Sequence, residues 1–142
     1  IARLLDMGVE PYLIVSTLTL AIGQRLVRRI CEACREVQKM NDAEASHFKK
    51  ILPSNFVDQS RTLYVGRGCA LCNGTGYRGR AGLYEVLEIG GSVREAILRK
   101  ASASEIRALA ARDGMTGILH DGYQKASRGV TTMGEVLRMQ YE

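Results

Sequence analysis

The residues best equipped for chemistry are four cysteines. They stand in two pairs, Cys31-Glu-Ala-Cys34 and Cys69-Ala-Leu-Cys72, with 34 residues between the pairs. At C-x-x-C spacing, two thiolates on one tight turn point at the same ion. Two such turns supply the four sulfurs that tetrahedral zinc takes. The insert exceeds the roughly 15–20 residues of a common zinc ribbon. A disulfide framework calls for an oxidising compartment, of which the sequence gives no sign. A thioredoxin-like motif calls for a single reactive pair on a βαβ unit, and here there are two similar pairs and no such unit. Structural zinc on Cys31, Cys34, Cys69 and Cys72 is therefore the expectation. Four protein ligands leave no position open for a substrate, so the ion would brace the chain rather than catalyse.

The flanks suit such a site. Asn73-Gly74-Thr75-Gly76-Tyr77-Arg78-Gly79 follows the second pair, and small residues there let the backbone wrap closely and aim N–H groups at sulfur. Arg28, Arg29, Arg35, Arg67, Arg78 and Arg80 crowd the two pairs. Guanidinium groups are favourable beside a doubly negative tetrathiolate, and some of these are expected to be ordinary surface charges. Gly74 to Gly79 also satisfies G-x-G-x-x-G, but a dinucleotide fingerprint must follow a strand and open a helix. This one follows a cysteine turn and runs into a strand-like stretch, Ala81 to Leu87, so a Rossmann site is rejected. His47 and His120 lie far from the pairs, and four thiols make a histidine ligand unnecessary. No Ser/His/Asp set, H-E-x-x-H, paired carboxylates or G-x-x-x-x-G-K-[ST] loop is present, so the chain lacks the parts of a catalytic site.

The elements that must hold the cysteines can be read from caps and periodicity. Ala2 to Met7 reads as a helix end stopped by Gly8. Glu10-Pro11 opens a second helix, expected to run to about Ile22, with proline where its missing N–H costs nothing. Gln24 to Ile30 reads as a strand, as do Leu63 to Val65 and Gly82 to Ile89. Asn41 to Leu52 reads as a short helix within the insert. After Gly90-Gly91, three S/T-x-x-E capping boxes begin at Ser92, Ser102 and Thr132, each opening an apolar run, and Met115 to Ser127 supplies another helix. Residues 92–142 thus read as a small helical bundle.

Composition bounds the rest. The chain has 142 residues, 46% of them apolar and 25% charged, with a net charge of +5. Those are globular proportions for about one domain. With no Trp and few aromatics, a base-stacking surface for nucleic acid is not expected. The most apolar run, Tyr12 to Gly23, falls short of the roughly 20 residues that span a bilayer. No signal-peptide pattern opens the chain. The expectation is a cytoplasmic piece of a longer protein with no direct membrane insertion.

The motifs together resemble one family, the secretion ATPases of type II secretion and type IV pilus assembly. The likeness rests on Asp6-Met7-Gly8-Val9-Glu10-Pro11-Tyr12-Leu13, on Gln24-Arg25-Leu26-Val27-Arg28, on both cysteine pairs, and on Asn73 through Leu87. It implies an α+β, mostly helical region at the C-terminal end of such a motor. Residues 1–30 and 80–91 would complete a RecA-like core, 31–79 would form a tetracysteine zinc subdomain, and 92–142 a C-terminal helical subdomain. The P-loop and its ATP/Mg2+ chemistry would lie upstream, leaving this stretch without activity alone. The resemblance further implies a homo-hexamer docked on an inner-membrane platform protein. Arg80, and less strongly Arg25, would come near bound nucleotide in the whole motor. Two rivals share the cysteine pattern. A nucleic-acid-binding zinc ribbon would show salt-dependent binding. A co-chaperone cysteine-rich domain would hold unfolded clients, and only Cys69-x-x-Cys72-x-Gly-x-Gly fits its repeat.

Overall fold

The computed structural model describes residues 1–51 and 62–139, and only the backbone of residues 43, 44, 47, 49 and 51. In chain order the elements are α1 (Ala2–Asp6), α2 (Pro11–Thr17), β1 (Leu20–Ile30), β2 (Arg35–Lys39), α3 (Asp42–Ile51), β3 (Thr62–Gly66), β4 (Tyr77–Glu88), α4 (Gly91–Leu98), α5 (Ala103–Arg112), α6 (Ile118–Ser127) and α7 (Met133–Arg138). One-turn helices, Glu32–Cys34 and Ala70–Cys72, carry the two cysteine pairs. The fold is α+β, as expected. β1 pairs with β4, and β2 pairs with β3. The chain divides into two compact units, one of residues 1–23 and 85–117, the other of residues 24–84 and 118–142.

The first unit is built by helix periodicity and helix ends. Ile14 of α2, Ile89, Val93, Ala96 and Ile97 of the α4 region, and Ile106 and Ala110 of α5 form an aliphatic core. Three of its helices stop in the same way. After α1, the Gly8 N–H bonds Leu5 O and the Val9 N–H bonds Leu4 O, at 2.9 and 3.0 Å. After α4 the pattern recurs at Lys100 and Ala101, and after α5 at Gly114 and Met115. These paired bonds satisfy the orphan carbonyls of a helix end and require a left-handed residue. Gly8 and Gly114 supply it at φ +82° and +100°. Lys100 adopts it at φ 56° with a side chain attached.

The second unit holds the cysteines. β2 and β3 are antiparallel with Arg35 opposite Gly66 and Lys39 opposite Thr62. Val27, Leu63 and Leu83 from the strands meet Met40 and Phe48 around α3, and Tyr123, Ala126, Met133 and Val136 of α6 and α7. Gly122 lets α6 and α7 approach closely, since a Cβ there would sit 2.5 Å from Val136 Cγ1.

Several sequence expectations are corrected. The second helix stops at Thr17 instead of Ile22, and β1 begins at Leu20. Leu18 already has extended backbone angles, and the β-branched Thr17, Thr19 and Ile22 favour the strand that follows. Ser92 does not cap α4. The helix starts one residue earlier, behind Gly90, and the Ser92 hydroxyl turns to the Asp113 carboxylate. Ser102 and Thr132 do cap, each accepting the N–H of the glutamate three residues on at 3.3 Å. The reciprocal half of those boxes is replaced by ion pairs, Glu105 with Arg99 and Glu135 with Arg28. β2 was not foreseen, because every one of its residues is exposed and no alternation marks it. The last residue expected in the insert helix, Leu52, and residues 140–142 of the helical tail lie outside the described residues.

Candidate metal centre

Each cysteine pair sits on a turn that the local sequence dictates. The chain leaves β1 at Ile30, whose N–H bonds Val130 O at 2.9 Å, and turns through Cys31 to Cys34. It then returns along β2. β3 leads into Gly66-Arg67-Gly68 and the second turn, and β4 leaves it at Tyr77. Two backbones meet at the neck of this second excursion. A Cβ on Gly66 would lie 2.0 Å from Gly76 O, and one on Gly76 would lie 2.3 Å from Gly66 O. Gly68 is left-handed at φ +95°, and a Cβ there would lie 2.5 Å from Gly74 O. Only glycine permits this closure.

The four sulfurs converge. Cys31 Sγ is 3.8 Å from Cys69 Sγ, Cys34 Sγ is 3.8 Å from Cys72 Sγ, and Cys69 Sγ is 3.7 Å from Cys72 Sγ. All four lie within 4.8 Å of one another. Zinc–sulfur bonds of about 2.3 Å in a tetrahedron place neighbouring sulfurs about 3.8 Å apart. The donor set therefore fits a tetrathiolate zinc site in both number and spacing. No S–S bond links any of the four.

Backbone donors complete the knuckle. The Gly68 N–H points at Cys34 Sγ at 3.3 Å, and those of Cys69 and Gly76 point at Cys72 Sγ at 3.2 Å each. Such bonds stabilise thiolate charge. Burial pushes the Cys34 thiol up to about 12. Burial presses upward on Cys72 too, but the Cys69 and Gly76 N–H groups and the neighbouring thiols outweigh it and bring Cys72 down to about 6. A thiolate is what a metal binds, and the Cys69 and Gly76 N–H donors favour that form at Cys72.

Four of the surrounding arginines are engaged elsewhere. Arg28 bonds Glu135 at 2.7 Å and lies 4.2 Å over the Tyr77 ring. Arg29 pairs with Glu32 at 2.5 Å, Arg67 pairs with Glu36 at 2.8 Å, and Arg35 lies over Tyr64. Arg78 is exposed on β4. Arg25 of β1 and Arg80 of β4, the residues the resemblance places near nucleotide, are both exposed on the β1–β4 ribbon. His120 is outside the cysteine cluster and meets Gln124 at 2.7 Å. The side chain of His47 lies outside the described residues. Two groups escaped the sequence reading. The first is the Gly66 and Gly68 pair, which Gly-x-Gly-Cys could have signalled. The second is the pairing of Glu135 with Arg28, 107 residues away, which the capping-box spacing at Thr132 does not signal.

This region of the chain matches a known pattern from end to end. Residues 1–138 fit the family described as type II/IV secretion system protein. The chain belongs to that family. Its relatives come from both branches. The type IV pilus assembly ATPase PilB of Thermus thermophilus is 43% identical over 137 residues, 96% of this chain and 15% of that protein. Type II secretion system protein E of Klebsiella pneumoniae is 41% identical over 139 residues, 98% of this chain and 26% of its own length. Its namesake in Pseudomonas aeruginosa is 39% identical over 144 residues, 100% of this chain and 27% of its own length. The secretion-family chain thus spans roughly a quarter or less of these relatives. Among the described residues, no helix is long and apolar enough to cross a membrane.

Proposed function

We propose that this chain is the C-terminal region of a hexameric cytoplasmic traffic ATPase that powers type II secretion or type IV pilus assembly, peripheral to the inner membrane through its partners. Within it, residues 31–79 form a structural zinc subdomain that docks on the inner-membrane platform protein or the neighbouring subunit. Residues 1–30 and 80–91 complete the RecA-like core, and 92–142 form the helical subdomain. ATP and Mg2+ belong to the parent protein's upstream P-loop. The observation that carries this reading is the convergence of four thiols within 4.8 Å in a chain whose residues 1–138 match the family. Similar identities to a pilus ATPase and to secretion protein E, 43% and 41%, support the general kind and favour neither system.

The role of the metal follows from its ligand set. Zinc bound by Cys31, Cys34, Cys69 and Cys72 would supply a cross-link and no open coordination position. The two turns it ties down bury only Cys31 and Cys72, and the excursion's other core side chains, Met40, Phe48 and Leu63, pack in one cluster with Val27, Leu83 and residues of α6 and α7 outside it. A metal-braced loop loses less free energy to ordering when a partner binds, which suits a docking knob. Exposed Leu71 at the tip, with 64% of its surface free, is the kind of apolar anchor such a contact uses. Arg80 and Arg25 lie toward nucleotide in the assembled motor, where guanidinium groups stabilise phosphate charge.

Metal analysis of the purified chain tests the base of this reading: one zinc per chain is expected, and zinc-free, folded protein overturns it. In the full-length parent, Cys72→Ser is expected to weaken binding to the platform protein while leaving ATP hydrolysis measurable. Undiminished binding removes the docking role. Arg80→Ala is expected to raise the parent's KM for ATP, and an unchanged KM removes Arg80 from the nucleotide site.

A further inference from the structure

The second unit contains a polar chain that begins beside one cysteine turn, ends beside the other, and passes through α7. Arg28 stands three residues before Cys31 on β1. Its guanidinium donates to Glu135 Oε1 at 2.7 Å, and its backbone N–H donates to Glu135 Oε2 at 3.0 Å. Glu135 is 5% exposed while the Arg28 side chain keeps 48% of its surface, so it is the carboxylate end of both bonds that is shielded from water. The same guanidinium covers the Tyr77 ring at 4.2 Å. Tyr77 follows Gly76, whose N–H points at Cys72 Sγ and whose carbonyl accepts the Cys31 N–H at 2.9 Å. The Tyr77 hydroxyl meets Thr132 Oγ1 at 3.0 Å, and Thr132 caps α7 by accepting the Glu135 N–H. Thr131, fully buried, donates its hydroxyl to Arg28 O at 2.8 Å.

We propose that Glu135 is a positioning residue for the metal knuckle: by holding Arg28 over Tyr77, it fixes Gly76 against Cys31 and Cys72, and couples metal retention to the docking of α7. The inference rests on the zinc reading given above. A buried carboxylate with three donors around it is costly unless all are kept, because removing one partner leaves a charge stranded. Here the partners are the β1 backbone, the Arg28 side chain and, at 3.8 Å, Arg138. A displacement of α7 therefore reaches the sulfurs through Arg28 and Tyr77, and an empty knuckle loosens α7 by the same route.

The test is the rate at which the 142-residue chain gives up zinc to a chromogenic chelator, well below its unfolding temperature. Outer groups that orient metal ligands are worth about ten- to a hundred-fold in metal affinity. Glu135→Gln is therefore expected to speed release about ten-fold or more, and Tyr77→Phe, which keeps the ring and loses only the Thr132 contact, to speed it by less. Ile97→Ala is the control. It opens the buried cluster of the first unit and touches neither Arg28, Tyr77 nor α7, so it should lower stability with little change in release. Equal release from Glu135→Gln and wild type, or equal acceleration by Ile97→Ala at matched stability, overturns the proposal. If Glu135→Gln fails to fold, Tyr77→Phe against Ile97→Ala decides by the same comparison. Absence of zinc in the wild-type chain defeats the underlying zinc reading instead, and the metal content measured beforehand separates the two failures.

Discussion

The two units solve the same problem with different materials. The first, residues 1–23 and 85–117, buries a continuous set of aliphatic side chains, with Val93, Ala96 and Ile97 almost wholly enclosed. Its α1, α4 and α5 are closed by paired backbone bonds, as α6 is in the second. The second, residues 24–84 and 118–142, mixes aliphatic, aromatic and sulfur side chains, and also buries Thr131, Thr132 and Glu135. Stability in the first is spread over many small dispersion contacts. In the second it is concentrated in a few directional contacts, whose loss leaves thiolates or a carboxylate without a counterpart. The lesson is that an excursion held by a few directional contacts trades redundancy for a defined shape.

This contrast is open to direct attack. The largest effect is expected from a chelator. Amides of the second unit, those of α6 and α7 as well as the cysteine turns, should lose protection from hydrogen exchange, while α4 and α5 keep theirs. Uniform loss across the chain would erase the distinction between the units. Next in size is Ile97→Ala in the first unit, where truncating a side chain with no exposed surface should cost about 2–5 kcal/mol in a denaturant titration. Acid should come third. Arg28 hydrogen bonding holds the Glu135 carboxyl below the usual range, so its contribution is complete above the ordinary glutamate value of about 4.3. That contribution disappears as pH falls through the depressed native value. The stability gap between wild type and Glu135→Gln should therefore close in that window, and a gap that persists at lower pH would contradict the assignment. The smallest effect has the opposite sign. Lys100→Gly relieves a left-handed backbone at φ 56° and should stabilise α4 by about 0.5–1 kcal/mol, read as a higher melting temperature.

What the sequence revealed depended on how local the cause was. Both C-x-x-C pairs were visible because two ligands on one turn must be neighbours in the chain. The caps at Ser102 and Thr132 and the stop at Gly8 were visible for the same reason, since the groups that satisfy a helix end lie within four residues of it. Ser92 misled because Gly90 and Gly91 offered an earlier start, and a cap competes with every other acceptor in reach, here Asp113. β2 was invisible because pairing with β3, rather than burial, makes Arg35 to Lys39 a strand. Glu135 closes the capping-box spacing that Thr132 opens, yet its side chain serves Arg28 from the far end of the chain. No spacing rule reaches across such a distance. The division into two units, each assembled from separate stretches, was hidden for the same reason.

The glycine neck at Gly66 and Gly76 has a consequence for how this protein can change. Since neither position admits even a methyl group, the base of the second excursion is frozen, and variation is steered outward to Ala70 and Leu71, both exposed. If the tip docks as proposed, recognition there can be rewritten by two adjacent codons without disturbing the sulfur cage beneath, so a lineage could exchange one partner for another while inheriting the same scaffold intact.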